Sequence, residues 1–151
     1  MSNTGLLNWR FALALHTYLR ISDIDSVQLA GLQDRLYWDA VEQPSDAEAT
    51  RRQSGELLNF AGETDRVYQQ VPPELSLIDG EHTLQIAQSS NLTETVVWNP
   101  GRVLGRKLDD LPPDGYRKML CVEAAKINAA VELSPQQHWE GWQQLTATRT
   151  G

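Results

Sequence analysis

The run Asn8-Trp9-Arg10-Phe11-Ala12-Leu13-Ala14-Leu15-His16-Thr17-Tyr18-Leu19-Arg20-Ile21 alternates apolar with small or polar side chains. Trp9, Phe11, Leu13, Leu15, Leu19 and Ile21 fall on one side of an extended ribbon, and Arg10, Ala12, Ala14, His16, Tyr18 and Arg20 fall on the other. The spacing predicts a strand over 8–21 with a plain core face. Its second face sets two alanines beside a histidine, a tyrosine and two arginines, leaving room for a ligand. A histidine on a strand is also commonly a hydrogen-bonded structural residue, and periodicity alone does not choose between the two.

Downstream, Ser22-Asp23-Ile24-Asp25 reads as a turn, and Val27, Leu29, Leu32, Leu36 and Tyr37 as short extended pieces broken at Gly31. Residues 41–55 are polar, without an apolar period, and read as a surface loop. Glu63-Thr64-Asp65-Arg66-Val67-Tyr68 leads into a short strand that Pro72-Pro73 ends, because proline has no ladder donor. Asp79-Gly80, set between two alternating runs, predicts a hairpin. Thr95 to Trp98 reads as a strand closed by Asn99-Pro100-Gly101, and the stretch onward to Gly115 as a loop. Residues 118–125, KMLCVEAA, are apolar on both faces except for Glu123 and read as a strand buried between sheets. Leu133-Ser134-Pro135 makes a turn, and Trp139, Trp142 and Leu145 suit either a closing strand or one helical turn. Many short strands without βα alternation indicate an all-β sandwich or barrel.

The 151 residues are 40% hydrophobic and 22% charged, which is ordinary globular composition and sets the expectation of a single domain over 1–151. No apolar run is long enough to span a bilayer and the N-terminus lacks signal-peptide character, so the expected compartment is cytoplasmic, with no membrane partner. The formal charge of −7 opposes nucleic-acid binding. One cysteine, Cys121, makes no internal disulfide, and three dispersed histidines offer no metal site at any usual ligand spacing. No metal and no organic cofactor is expected.

With His16, Asp65, Trp98-Asn99-Pro100 and Glu123 set side by side, the chain resembles the hexose-6-phosphate mutarotases, or glucose-6-phosphate 1-epimerases, of the aldose 1-epimerase and galactose mutarotase superfamily. The segments that carry the resemblance are LHTYLRI, ETDRVY, TVVWNPG, DDLPPDGY and MLCVE, in that order. The resemblance implies a β-supersandwich with the sugar on its concave face. It also implies His16 as general acid at the ring oxygen, Glu123 as general base on the anomeric hydroxyl, and Asp65 as a ligand for sugar hydroxyls. Tyr18 and Asn99 are candidate pocket-wall residues.

The residues themselves leave other readings open. Glu123 also suits an ion pair with Lys118 or Lys126, Asp65 a turn, and Trp98 the core. The resemblance also implies an N-terminal half of comparable size before the HTY strand, which supplies the phosphate-binding arginines, and the expectation is that this chain lacks that half. The expected partners are therefore a sugar or sugar phosphate together with a second copy of the chain, as a homodimer, or a separately encoded N-terminal half. Without such cover, sheet edges and a wide apolar face would be exposed.

Overall fold

A computed structural model describes residues 1–149. The strands are Trp9–Ala14 (β1), Tyr18–Arg20 (β2), Gln28–Ala30 (β3), Leu36–Asp39 (β4), Thr50–Arg52 (β5) and Leu57–Leu58 (β6). They continue with Thr64–Gln69 (β7), Glu74–Asp79 (β8), His82–Gln88 (β9), Glu94–Asn99 (β10), Met119–Leu133 (β11) and Gln143–Arg149 (β12). Pairing is antiparallel throughout and builds two sheets. A seven-stranded sheet runs β1-β11-β10-β7-β4-β5 with β2 also paired to β11, and a five-stranded sheet runs β12-β9-β8-β3-β6. The fold is the all-β sandwich that the alternating runs imply.

The core lies between the sheets. Leu19, Tyr37, Tyr68, Val97, Leu120 and Val122 come from the larger sheet and meet Leu29, Leu75, Leu77 and Ile86 from the smaller. Fully burying each such side chain contributes roughly 1.5–3 kcal/mol, and this interface is what holds the sheets face to face. The hydroxyl of Tyr68, buried among them, donates to Gln53 Oε1 at 2.9 Å, so its burial leaves no unpaired donor.

The β8–β9 hairpin forms as the Asp79-Gly80 pair predicts, with Asp79 opposite His82. The turn itself is Gly80-Glu81, and Gly80 has φ 63°, which fits a tight hairpin turn with glycine at its first central position. Gly31 has φ 101°, and a Cβ there would stand 2.8 Å from Leu75 Cδ2, so the chain breaks between β3 and β4 at the one residue type that fits.

Several expectations need correction. The strand over 8–21 is two strands: Thr17 N–H donates to Leu15 C=O at 2.7 Å, closing a γ-type turn centred on His16. The loop over 41–55 contains β5, paired to β4 with every residue exposed, so it carries no alternation to read. The stretch from Gly101 to Gly115 holds one turn of α-helix, Gly101–Gly105 (α1), and leads into a 3₁₀ turn at Gly115–Lys118. The strand read at 118–125 runs on to Leu133; its first seven residues are buried, as an apolar run on both faces implies.

Candidate active site

In β11 the even residues Leu120 and Val122 enter the core, so Cys121, Glu123 and Ala125 point off the opposite face of the larger sheet. Register carries that face across neighbouring strands. Tyr18 lies opposite Cys121, which lies opposite Trp98, which lies opposite Asp65. Glu123 lies opposite Val96, and Ala125 opposite both Ala14 and Glu94. The γ-type turn lifts His16 over this surface, where its Nδ1 meets Glu123 Oε1 in a hydrogen-bond contact. The two side chains differ in exposure, 52% for His16 against 6% for Glu123, so a half-exposed ring stands above a buried carboxylate.

Thr17, next to the turn, fixes its position. Its hydroxyl donates to Gln143 Oε1 at 2.7 Å, while Gln143 Nε2 donates to Val122 C=O at 2.9 Å. The first residue of β12 thus ties the His16 turn to the strand that carries Glu123. The His16 ring is 4.8 Å from the Tyr18 ring and 5.7 Å from the Trp98 ring, centroid to centroid. Tyr18 and Trp98 continue into a cleft of about 270 Å³ that they share with Leu108, Asp110, Leu111 and Met119. Aromatic faces beside a few polar groups are the usual lining of a site for a small, partly apolar ligand.

Burial sets the electrostatics of this surface. Burial raises the pKa of Glu123; contact with His16 pulls it down, and Asp65 pushes it up again. Asp65 is itself raised, first by burial and then by the Glu63 and Asp39 carboxylates. Burial, with the Glu123 charge, pushes the Cys121 thiol up to about 12, so it sits neutral beneath the pair. Two carboxylates on one surface, one of them holding a histidine, make a base, an acid and a hydroxyl acceptor available together.

The structure brings His16, Glu123, Tyr18 and Asp65 to one surface and leaves Asn99 out. Asn99 is fully buried. Its amide donates to the carbonyls of Tyr116 and Met119, each at 2.8 Å, and its Oδ1 accepts from Gly101 N–H at 2.8 Å. Asn99 therefore organises the loop that forms one cleft wall and presents no group to a ligand. Trp98 is only half-buried and stands at the cleft rather than in the core.

Two features of this surface escaped sequence reading. Glu94 is buried and accepts from the N–H groups of Ile127 and Asn128, where β11 bulges against β1. The surface also gathers His16, Cys121 and Glu123, whose donor atoms all lie within 4.8 Å of one another. Ligand spacing along the chain could not reveal that group, because His16 and Glu123 are 107 residues apart. No helix among the described residues is long and apolar enough to cross a membrane.

Comparison with known proteins bears on the family of the chain. The chain is 31% identical over 147 residues to a "Putative glucose-6-phosphate 1-epimerase" of Cenchrus ciliaris, covering 97% of this chain and 44% of that protein. It is 36% identical over 115 residues to the protein of the same name from Escherichia coli K12, covering 74% and 37%. It thus spans less than half the length of these relatives. The crystal structure of a "putative mutarotase" from Salmonella typhimurium superposes with TM-score 0.77 at 28% identity, over 93% of this chain and 47% of that one. A galactose mutarotase-like protein from Clostridium acetobutylicum, at 13% identity and TM-score 0.65 over 98% of this chain and 50% of that one, shares the fold. The aldose 1-epimerase family model matches residues 1–146. On that match and these likenesses, the chain belongs to the aldose 1-epimerase family.

Proposed function

We propose that this surface interconverts the α and β anomers of an aldohexose, with a hexose 6-phosphate as its substrate class. The observation that carries the reading is the His16–Glu123 pair. In a cyclic hemiacetal the hydroxyl that must lose a proton, O1, and the ring oxygen that must gain one, O5, sit on the same carbon. An acid and a base held in contact match that geometry, and the exposed His16 ring can swing aside to admit C1 between them.

The steps balance on these two groups. Glu123 takes the O1 proton as the imidazolium of His16 gives one to O5; the C1–O5 bond breaks and C1–O1 becomes a carbonyl. Rotation about C1–C2 presents the other carbonyl face. O5 then attacks C1, returning its proton to His16, while O1 takes the proton held by Glu123. The raised pKa of Glu123 makes it a stronger base than a solvated carboxylate. Asp65 receives no hydrogen bond that lowers its pKa and is suited to accept from sugar hydroxyls, with Tyr18 and Trp98 as apolar walls for the ring.

The phosphate half of the reading is supported by Arg20. It follows Tyr18 on the same face of β2, opposite Met119. It also lines a second cleft that shares Leu111 and Met119 with the first, so a sugar beside Trp98 would have a cation within reach of its far end. A second reading, a sugar-binding or split-enzyme fragment without turnover of its own, is favoured by length: the chain covers 44% of its Cenchrus relative. On either reading the sheet edges at β1 and β12 are surfaces for a second copy of the chain or for the remaining half of its longer relatives.

NMR exchange between anomers, measured for glucose 6-phosphate beside free glucose, tests the substrate class. The expected result is faster exchange of the phosphorylated sugar, with Arg20→Ala erasing the preference. Equal rates for both sugars would remove the phosphate from the proposal. Tight sugar binding with no exchange by a folded chain would favour the fragment reading.

A further inference from the structure

Cys121 has no part in the proton transfers above, yet it lies in the same donor cluster. Cys121 and Glu123 are alternate residues of β11 and leave one sheet face together, and the turn at His16 places the imidazole over them. One ligand atom from each of the three falls within 4.8 Å of the other two. A tetrahedral zinc ion with bonds of about 2.0–2.3 Å holds such atoms roughly 3.3–3.6 Å apart, so the widest pair closes by on the order of 1 Å while His16 Nδ1 and Glu123 Oε1, now in hydrogen-bond contact, part to admit the ion. The half-exposed His16 ring is free to supply that shift. Imidazole, thiolate and carboxylate together suit a borderline-soft divalent cation better than Mg²⁺ or Ca²⁺, which prefer all-oxygen ligands.

We propose that His16, Cys121 and Glu123 form a three-ligand site for Zn²⁺, with the fourth position open to the cleft, and that the metal excludes the sugar reaction. Binding forms Zn–N, Zn–S and Zn–O bonds and releases to solvent the thiol proton and the proton shared by His16 and Glu123. The cation neutralises the thiolate and carboxylate that the buried site otherwise disfavours, so the ion brings the charge that holds it. It then occupies the lone pairs that a general acid and base must use, which makes it an inhibitor and not a cofactor. The binding claim rests on donor geometry alone; the inhibition rests on the proposed reaction.

Cobalt separates the two claims. Cys121 is the chain's one cysteine, so a thiolate-to-cobalt charge-transfer band in the folded wild-type chain reports on that residue without a variant. The expected result is a one-to-one Co²⁺ titration with that band, its loss on adding Zn²⁺, and a fall in affinity of at least about 10-fold in His16→Gln. A folded chain that takes up no cobalt with a thiolate band, or a band unchanged in both His16→Gln and Glu123→Gln, overturns the site. For inhibition, Zn²⁺ is expected to stop anomer exchange and a chelator to restore it. Exchange that continues with the cobalt-defined site saturated by Zn²⁺ overturns competition while leaving the binding site standing.

Discussion

Burial lifts the pKa of Asp65 above its ordinary value, and the carboxylates of Glu63 and Asp39 lift it further. The fold therefore binds the Asp65 proton more tightly than the unfolded chain does. That contribution to stability is complete below the unfolded pKa of about 3.9 and is lost as pH rises through the higher folded value. Asp65→Asn is expected to melt above the wild type at neutral pH, with the gap closing as the pH falls below the ordinary aspartate range, while sugar binding weakens. Thermal melts from pH 3 to 8 check the sign: a variant less stable than wild type at neutral pH would mean that Asp65 serves the fold. Glu123 carries the same signature, tempered by His16, and groups held at a cost to stability are common where a site does chemistry.

Glu94 shows how a strand can be shaped by one side chain. Between Phe11 opposite Val131 and Leu13 opposite Lys126, β11 spends more residues than β1, and the N–H groups of the bulge turn away from their ladder. The Glu94 carboxylate takes those of Ile127 and Asn128 and the Asn128 amide as well. Removing it deprives the N–H groups of half-buried Ile127 and exposed Asn128 of their carboxylate partner, on the same strand that carries Glu123. Glu94→Ala is expected to cost about 2–3 kcal/mol in urea unfolding, and a loss under about 0.5 kcal/mol would show that water replaces the carboxylate.

Legibility at this scale followed the physical origin of each feature. The Gly80 hairpin and the buried start of β11 were readable because turn chemistry and two-faced apolarity are local properties of the chain. The break at His16 was hidden because a γ-type turn forms from backbone groups and leaves the alternation of Leu13, Leu15 and Leu19 intact. Exposed β5 left no pattern at all. The resemblance drew His16, Asp65 and Glu123 together, whereas Asn99, quoted in the same motif, turned inward to hold the Tyr116–Met119 backbone. Cys121 and Glu94 were invisible as members of the site because their neighbours come from strands distant in sequence.

For the whole molecule, the open margins matter most. β1 with β2 edges the larger sheet and β12 edges the smaller, and beside them Leu6 and Leu7 are 90% and 82% exposed and Trp142 is 51% exposed. Unpaired edges next to apolar side chains are surfaces that proteins pair or cover. Light scattering is expected to find the purified chain as a dimer, or as a monomer that a separately expressed N-terminal half converts to a one-to-one complex. A monodisperse monomer indifferent to that half would show that the edges tolerate solvent.

The proposed reaction depends on the contact between His16 and Glu123. The most direct measurement is anomer exchange of glucose 6-phosphate by NMR with the wild type, His16→Asn and Glu123→Gln, all shown to be folded, against a protein-free control. The predicted result is exchange above the control that falls by roughly 10²-fold or more in each variant, the usual contribution of a positioned acid or base. Wild-type exchange that both variants retain would contradict it, since the proton transfers would then run through other groups.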